Sequence, residues 1–144
     1  MNGITHLFFD LDHTLWDTDL NAQHSLTELF VEHELESKGI PSFDAFHACY
    51  RQHNERLWGL YSENQIGKEA VRVHRFRNTL KDFNIDDDRI VLHLADAFVE
   101  RTPYKPHLID GAMELLEQLK GRFTMAIITN GFKEVQYIKL RESG

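Results

Sequence analysis

Two aspartates two positions apart, Asp10 and Asp12, directly follow a run of large apolar residues, Leu7-Phe8-Phe9. Such a run reads as the end of a buried strand. In an open α/β sheet, the carboxyl ends of the strands are where ligands bind. Two acids placed there can hold a hard cation through oxygen. One can also act as a nucleophile while the other moves protons. The plain alternatives are two solvated acids in a loop, or an aspartate capping a helix.

A second stretch, far along the chain, has the same logic. Residues 123–128, Phe-Thr-Met-Ala-Ile-Ile, are another buried-strand candidate, ending in Thr129-Asn130-Gly131 before a helical stretch over 133–141. A strand that breaks at such a turn and opens a helix offers a hydroxyl and free backbone N–H groups, which suit a phosphate. An Asn-Gly turn with a helix cap is the ordinary alternative. Together the two stretches fit one site, with a carboxylate pair on one strand tip and a phosphate cradle on another.

These strands need elements to position them. The first strand spans about 5–10. A helical stretch follows, capped by Thr18 or Asp19, with Leu20, Leu26, Leu29 and Phe30 as its stripe, and it ends near Gly39 with Pro41 beyond. Ser42 can cap a second helix carrying Phe43, Phe46, Tyr50, Leu57, Leu60 and Tyr61 at helical spacing. A third helix over 68–83 turns Ala70, Val73, Leu80 and Phe83 inward, and a fourth over 87–101 turns Ile90, Leu94, Ala97 and Phe98 inward. Pro103 and Pro106 mark a connection. Asp110 then caps a helix through Met113, Leu115, Leu116 and Leu119, which Gly121 ends before the second strand. The strand–helix–strand material predicts a parallel α/β sheet covered by helices. Four helices are too many for a simple crossover and should form a separate small bundle.

With these motifs in place, the chain resembles the haloacid dehalogenase (HAD) superfamily of hydrolases. Asp10, Asp12 and Thr14 match that family's DxDxT motif, and Thr129 matches its strand-end Ser/Thr motif. Three stretches resemble the pyrimidine 5'-nucleotidase branch, which acts on non-standard nucleoside monophosphates. They are residues 12–16, residues 54–58 with Arg75-Phe76 beyond, and residues 129–136. The resemblance implies a Rossmann-like core over 1–16 and 104–144, with an inserted helical cap over 17–103. It implies a magnesium-dependent phosphomonoester hydrolase acting on a small-molecule phosphate ester, a pyrimidine nucleoside monophosphate foremost. In it, Asp10 forms an aspartyl phosphate and Asp12 protonates the leaving alkoxide and later activates water. The second acid separates the family's phosphatases from its dehalogenases. Mg2+ would be held by the Asp10 carboxylate and the Asp12 backbone carbonyl, while Thr129 and the Asn130 and Gly131 amides hold phosphoryl oxygens. Thr14 would shape the loop through the backbone. His13 departs from the Asp or Gly usual at its place.

Substrate choice is expected from Trp16, Asn54, Trp58 and Arg75, through aromatic stacking on a base and reading of its edge. Core packing for Trp58 and a surface ion pair for Arg75 are the alternatives. The family also uses a downstream Lys and an acidic pair, which would lie beyond Gly144, so the resemblance implies a longer protein. Lys133 and Lys139 lie too near the second motif to take that Lys's place. Two other functions stay open: a HAD phosphatase on another small ester, such as a sugar phosphate or phosphoglycolate, and a non-catalytic phosphate-binding fragment.

Composition bounds these readings. The 144 residues carry a net charge of −7, with 42% hydrophobic and 27% charged residues, an ordinary balance for a single soluble domain. The acidic balance argues against sequence-independent nucleic-acid binding, which needs clustered Lys and Arg. No apolar run approaches the roughly 20 residues of a membrane span. The start, Met1-Asn2-Gly3-Ile4, lacks a basic region ahead of an apolar one, so a cytoplasmic location is expected. The single cysteine, Cys49, reads as a buried inert thiol. Nine histidines include no HExxH pair, and most read as surface residues. A small sheet with open edges leaves association with another copy open.

Overall fold

The computed structural model describes residues 3–144; Met1 and Asn2, part of the N-terminal stretch read above, lie outside the described residues. In chain order, the elements are β1 (His6–Phe9), α1 (Thr18–Glu32), α2 (Phe43–Ser62), α3 (Lys68–Asp82), α4 (Asp88–Arg101), a short 3₁₀ turn (Thr102–Tyr104), α5 (Ala112–Leu119), β2 (Thr124–Ile127) and α6 (Lys133–Ser143). The chain divides into two compact units. One comprises the residues up to Ala22 with Thr102–Gly144, and the other is Gln23–Arg101.

In the first unit, β1 and β2 pair in parallel, His6 opposite Thr124 through Phe9 opposite Ile127. Parallel neighbours need a crossover, and α5 returns the chain to the start of β2. Neither strand is buried as the sequence suggests. Both alternate exposed and half-buried residues, and Phe8 and Ile128 are 64% and 61% exposed. An apolar run alone cannot distinguish a strand covered on both faces from one covered on a single face. On the covered face, Leu11, Leu15, Trp16 and Ala112 form a core against Phe9, Leu108, Ile109, Leu116, Ile127 and Leu140. The stripe expected on α5 turns inward only in part, because Met113 and Leu115 are exposed. Asp110 does not cap that helix. Gly111 does, with φ of 81°, a left-handed conformation that glycine adopts without strain.

The second unit is helical. Ser42 caps α2 as expected, accepting a hydrogen bond from the Ala45 amide at 3.2 Å. For α1 the cap is Asp17, whose carboxylate accepts from the Leu20 amide at 2.9 Å, in place of Thr18 or Asp19. Asp87 caps α4 in the same way, through the Arg89 amide. The first helix stops at Glu32, well before Gly39, because Glu34 turns left-handed and the Leu35 amide returns to the Phe30 carbonyl. Asn64 and Asn84 end α2 and α3 by the same device. The core includes Leu26, Leu29, Phe46, Tyr50, Val71, Phe76, Leu80, Leu94 and Phe98. Among the described residues, no helix is long and apolar enough to cross a membrane.

Phe76 is fully buried, with its ring 5.2 Å from Tyr50 and 5.6 Å from Phe98. Phe76→Ala should therefore lower the stability of the helical unit by about 3–5 kcal/mol. Urea denaturation followed by circular dichroism reads that loss, and a change under about 1 kcal/mol would contradict this packing.

Candidate active site

Because β1 and β2 run parallel and in register, their carboxyl ends lie side by side. The Ile128 amide extends the ladder to the Phe9 carbonyl at 2.9 Å. Beyond those ends is an open recess of about 310 Å³, lined by Phe8, Phe9, Asp10, Ile128, Thr129 and Asn130. Three residues singled out from the sequence, Asp10, Thr129 and Asn130, thus meet at one opening.

The loop after β1 is wound tightly on one carbonyl. The Leu15 and Trp16 amides both donate to Leu11 O at 2.9 Å, and the Thr14 amide donates to it at 3.3 Å. Leu11, Leu15 and Trp16 are buried and anchor the loop from below. His13 sits at φ 61°, in the left-handed region that Gly, Asn and Asp enter most readily. Thr14 does more than shape the loop through the backbone. Its hydroxyl also donates to Asp10 Oδ2, at a long 3.4 Å.

The two aspartates occupy different environments. Asp10 is exposed at the recess. Asp12 is held from three sides: Lys139 Nζ donates to Oδ1 at 2.7 Å, Thr18 Oγ1 to Oδ1 at 3.2 Å, and Gln136 Nε2 to Oδ2 at 2.7 Å. Burial pushes the Asp12 carboxyl up, but the Lys139 charge and the Lys139, Gln136 and Thr18 hydrogen bonds more than offset that and hold it below the ordinary range. Burial pulls the Lys139 ammonium down, with Asp12 opposing the shift. That ammonium also lies 4.3 Å from the centre of the Trp16 ring.

Gln136 ties this network to the second strand. Its amide also donates to Thr129 Oγ1 at 2.7 Å, and the Gly131 amide donates to the same hydroxyl at 3.2 Å. Thr129 then has both lone pairs engaged and keeps its O–H proton as the donor for a ligand. The Gly131 amide is not free, as the sequence reading has it; it is spent inside the turn. A Cβ at 131 would meet the Gln136 side chain, so a larger residue there would push that amide off Asp12 and Thr129.

Gln136 and Lys139 escape the sequence reading. They lie one turn apart on α6 and are its buried residues. A polar pair at i, i+3 on a helix that otherwise alternates ordinarily is the only signal available. Lys139 lies too close to Thr129 in sequence to suggest a reach to the first motif, yet the fold brings it to Asp12, 127 positions away. Trp16 is corrected in the opposite sense. It is 1% exposed, donates from Nε1 to the Lys105 carbonyl at 3.0 Å, and has no open face for stacking on a base.

The other three substrate candidates lie in the helical unit. Arg75 Nη1 donates to Asn54 Oδ1 at 3.3 Å, so the structure brings these two together. Arg75 is buried, in place of the surface ion pair weighed above, with its guanidinium 4.6 Å from the Phe98 ring centre and its Nε without a partner. Trp58, one turn beyond Asn54, is half-buried and stands edge-on to Tyr61 at 5.5 Å.

The donor set suits a hard divalent cation on one side only. The Asp10 carboxylate is an exposed oxygen donor at the recess, whereas the Asp12 carboxylate is already occupied by three donors and leaves its backbone carbonyl as the ligand it can offer.

A parallel strand pair with an acid motif on one tip, a Thr-Asn-Gly turn on the other and an inserted helical unit defines a HAD-type hydrolase. The profile of the haloacid dehalogenase-like hydrolases matches residues 4–144, and the chain belongs to that family. It is 32% identical over 139 residues to the HAD-hydrolase YfnB of Bacillus subtilis, covering 96% of this chain and 56% of YfnB. It is 30% identical to the pyrimidine 5'-nucleotidase PynA of Streptococcus pneumoniae, with 96% of this chain and 56% of PynA covered. The chain therefore spans about half the length of the curated relatives it matches. The crystal structure of Bacillus subtilis YfnB bound to magnesium superposes with a TM-score of 0.83 at 30% identity, covering 99% of this chain and 61% of that one. An L-2-haloacid dehalogenase from Xanthobacter autotrophicus, at 18% identity and a TM-score of 0.66, with 99% of this chain and 53% of that one covered, shares the fold.

A carboxylate whose folded value lies below the ordinary aspartate value of about 3.9 contributes stability that is present above that value and lost as pH falls through the lowered one. In chelator-containing buffer, Asp12→Asn should have a lower urea midpoint than the parent at neutral pH, with the gap narrowing as pH falls below about 4. An equal gap at about pH 2 and pH 7 would contradict the ion pair.

Proposed function

We propose that this chain carries the nucleophile, the general acid/base and part of the phosphate site of a magnesium-dependent phosphomonoester hydrolase that acts on nucleoside monophosphates. The observation behind this reading is the division between two neighbouring carboxylates, Asp10 exposed at the recess and Asp12 held by Lys139 and Gln136. Acids in such contrasting environments take different roles.

In the first step, an Asp10 carboxylate oxygen attacks phosphorus, the bond from phosphorus to the ester oxygen breaks, and a proton on Asp12 passes to the departing alkoxide. In the second, Asp12 takes a proton from water, which attacks the same phosphorus and releases phosphate, restoring Asp10. The Lys139 contact favours the anion of Asp12, which is the form the second step uses. Protonating Asp12 for the first step means slackening that contact. The Thr129 hydroxyl is the donor aimed at a phosphoryl oxygen, with Asn130 and Gly131 shaping the turn around it. Magnesium, when bound, supplies Lewis-acid charge stabilisation between an anionic nucleophile and an anionic substrate. Asp10, with the Asp12 carbonyl, would be its ligands in this chain.

The presence of Asp12 favours a phosphatase over a dehalogenase. Pyrimidine nucleotides as substrates are supported by the names of PynA and of the 26%-identical pyrimidine 5'-nucleotidase YjjG of Escherichia coli. By the resemblance the helical unit would read the base, and within it Asn54 and Trp58 are half-buried while Arg75 is buried and acts through its hydrogen bond to Asn54. A sugar phosphate or phosphoglycolate as substrate remains the second reading.

Phosphate release from uridine and thymidine monophosphates, with and without magnesium, tests the proposal. Asp10→Asn should lower turnover on the order of a thousandfold or more, in keeping with loss of a covalent nucleophile. Retained turnover in that variant would overturn the mechanism, and faster release from sugar phosphates than from nucleotides would overturn the substrate assignment.

A further inference from the structure

The helical unit holds a cluster of side chains that the phosphoryl chemistry does not use. Cys49 and His53 are four residues apart on α2 and so share one face. Asp82, the last residue of α3, meets them. Cys49 Sγ lies 3.0 Å from Asp82 Oδ2, and His53 Nε2 lies 2.8 Å from the same oxygen. One donor atom from each of the three falls within 4.8 Å of the other two.

We propose that Cys49, His53 and Asp82 form a binding site for one divalent transition-metal ion of the zinc class, with a fourth coordination position open. A thiolate sulfur, an imidazole nitrogen and a carboxylate oxygen are the three donor types that zinc takes, and three protein ligands with an open place is a common coordination pattern. Thiolate and imidazole select against magnesium, which prefers oxygen throughout. The site is therefore chemically distinct from the one built on Asp10.

The present hydrogen bonds describe the same geometry with protons at its centre. A carboxylate only accepts, so both the thiol proton and the His53 Nε2 proton point at Asp82 Oδ2. One ion replaces them, provided His53 turns its unprotonated nitrogen inward or loses its proton. The two negative ligands then balance a 2+ charge. Metal–ligand lengths of about 2.0–2.3 Å place tetrahedral donors about 3.4–3.6 Å apart, so the Cys49 and His53 donors must each move about half an ångström away from Asp82 Oδ2. The Asp82 side chain is 54% exposed and ends its helix, which leaves it room to move. Cys49 is half-buried rather than sealed in the core. Its thiol is pushed up to about 12 by burial and by Asp82, and a bound cation would oppose that shift.

The test is a titration of the metal-free full chain with Co2+, followed by optical absorption. The expected result is saturation at one equivalent with a near-ultraviolet thiolate-to-cobalt charge-transfer band, displaced by Zn2+. Asp82→Asn and His53→Ala should each weaken binding at least about tenfold, the lower end of what even outer-shell losses cost a metal site. Circular dichroism confirms that each variant is folded. Asp10→Asn should leave the band unchanged, which separates this site from the phosphoryl site whatever the fate of the nucleotidase reading. Absence of the band in the parent chain, or affinity unchanged in both folded variants, would overturn the proposal.

Discussion

The ion pair between Lys139 and Asp12 is the contact on which the rest of the core unit depends. Taking two charges out of water is costly, and their attraction compensates only where geometry is good and the remaining polar atoms are satisfied. Here the ammonium lies over the Trp16 ring and Gln136 and Thr18 complete the carboxylate, although Gln136 Oε1 is itself buried without a hydrogen-bond partner among the described residues. The pair fastens α6 to the loop after β1, and through Gln136 it also fixes Thr129 at the end of β2. One network thus sets the position of Asp12 and the orientation of Thr129, with the Gln136 amide packed against Gly131. Asp10 stands outside it and keeps its carboxylate for the recess.

That division is what two acids at i, i+2 need if they are to do different work. An extended strand would put residues at i, i+2 on one face; β1 ends at Phe9, and the tightly wound loop carries Asp12 to Lys139 and Gln136 while Asp10 stays at the recess. Asp10 follows the last residue of β1, where the recess is open. Asp12 turns toward α6, where the Lys139 ammonium and the Gln136 amide meet it. The helical unit has a core of its own, built on the Tyr50, Phe76 and Phe98 rings around the Arg75 guanidinium.

Much of this was legible before any coordinates. Asp10 and Thr129 could be read from an apolar run followed by a polar break, because strand ends in α/β sheets collect ligand groups. Ser42 could be read as a cap from its place ahead of an apolar stripe. Gln136 and Lys139 could not be read, because a Lys on an amphipathic helix looks the same whether it meets solvent or a carboxylate 127 positions away. Trp16 misleads for a similar reason: an indole in a loop is equally consistent with a ligand platform and with an anchor, and only burial decides. Asp110 loses to Gly111 because a left-handed residue sets the entry to α5. Cys49 and His53 carry a readable i, i+4 spacing, but their third partner comes from another helix.

The central proposal is that Asp10, and not Asp12, is the group that accepts phosphorus. It is tested most directly by acid-quenching the enzyme during turnover, reducing any acyl phosphate with borohydride, and locating the modified residue by peptide mass mapping. The account predicts conversion of Asp10 to homoserine with Asp12 unmodified. Modification at Asp12, or of neither residue during active turnover, would contradict it.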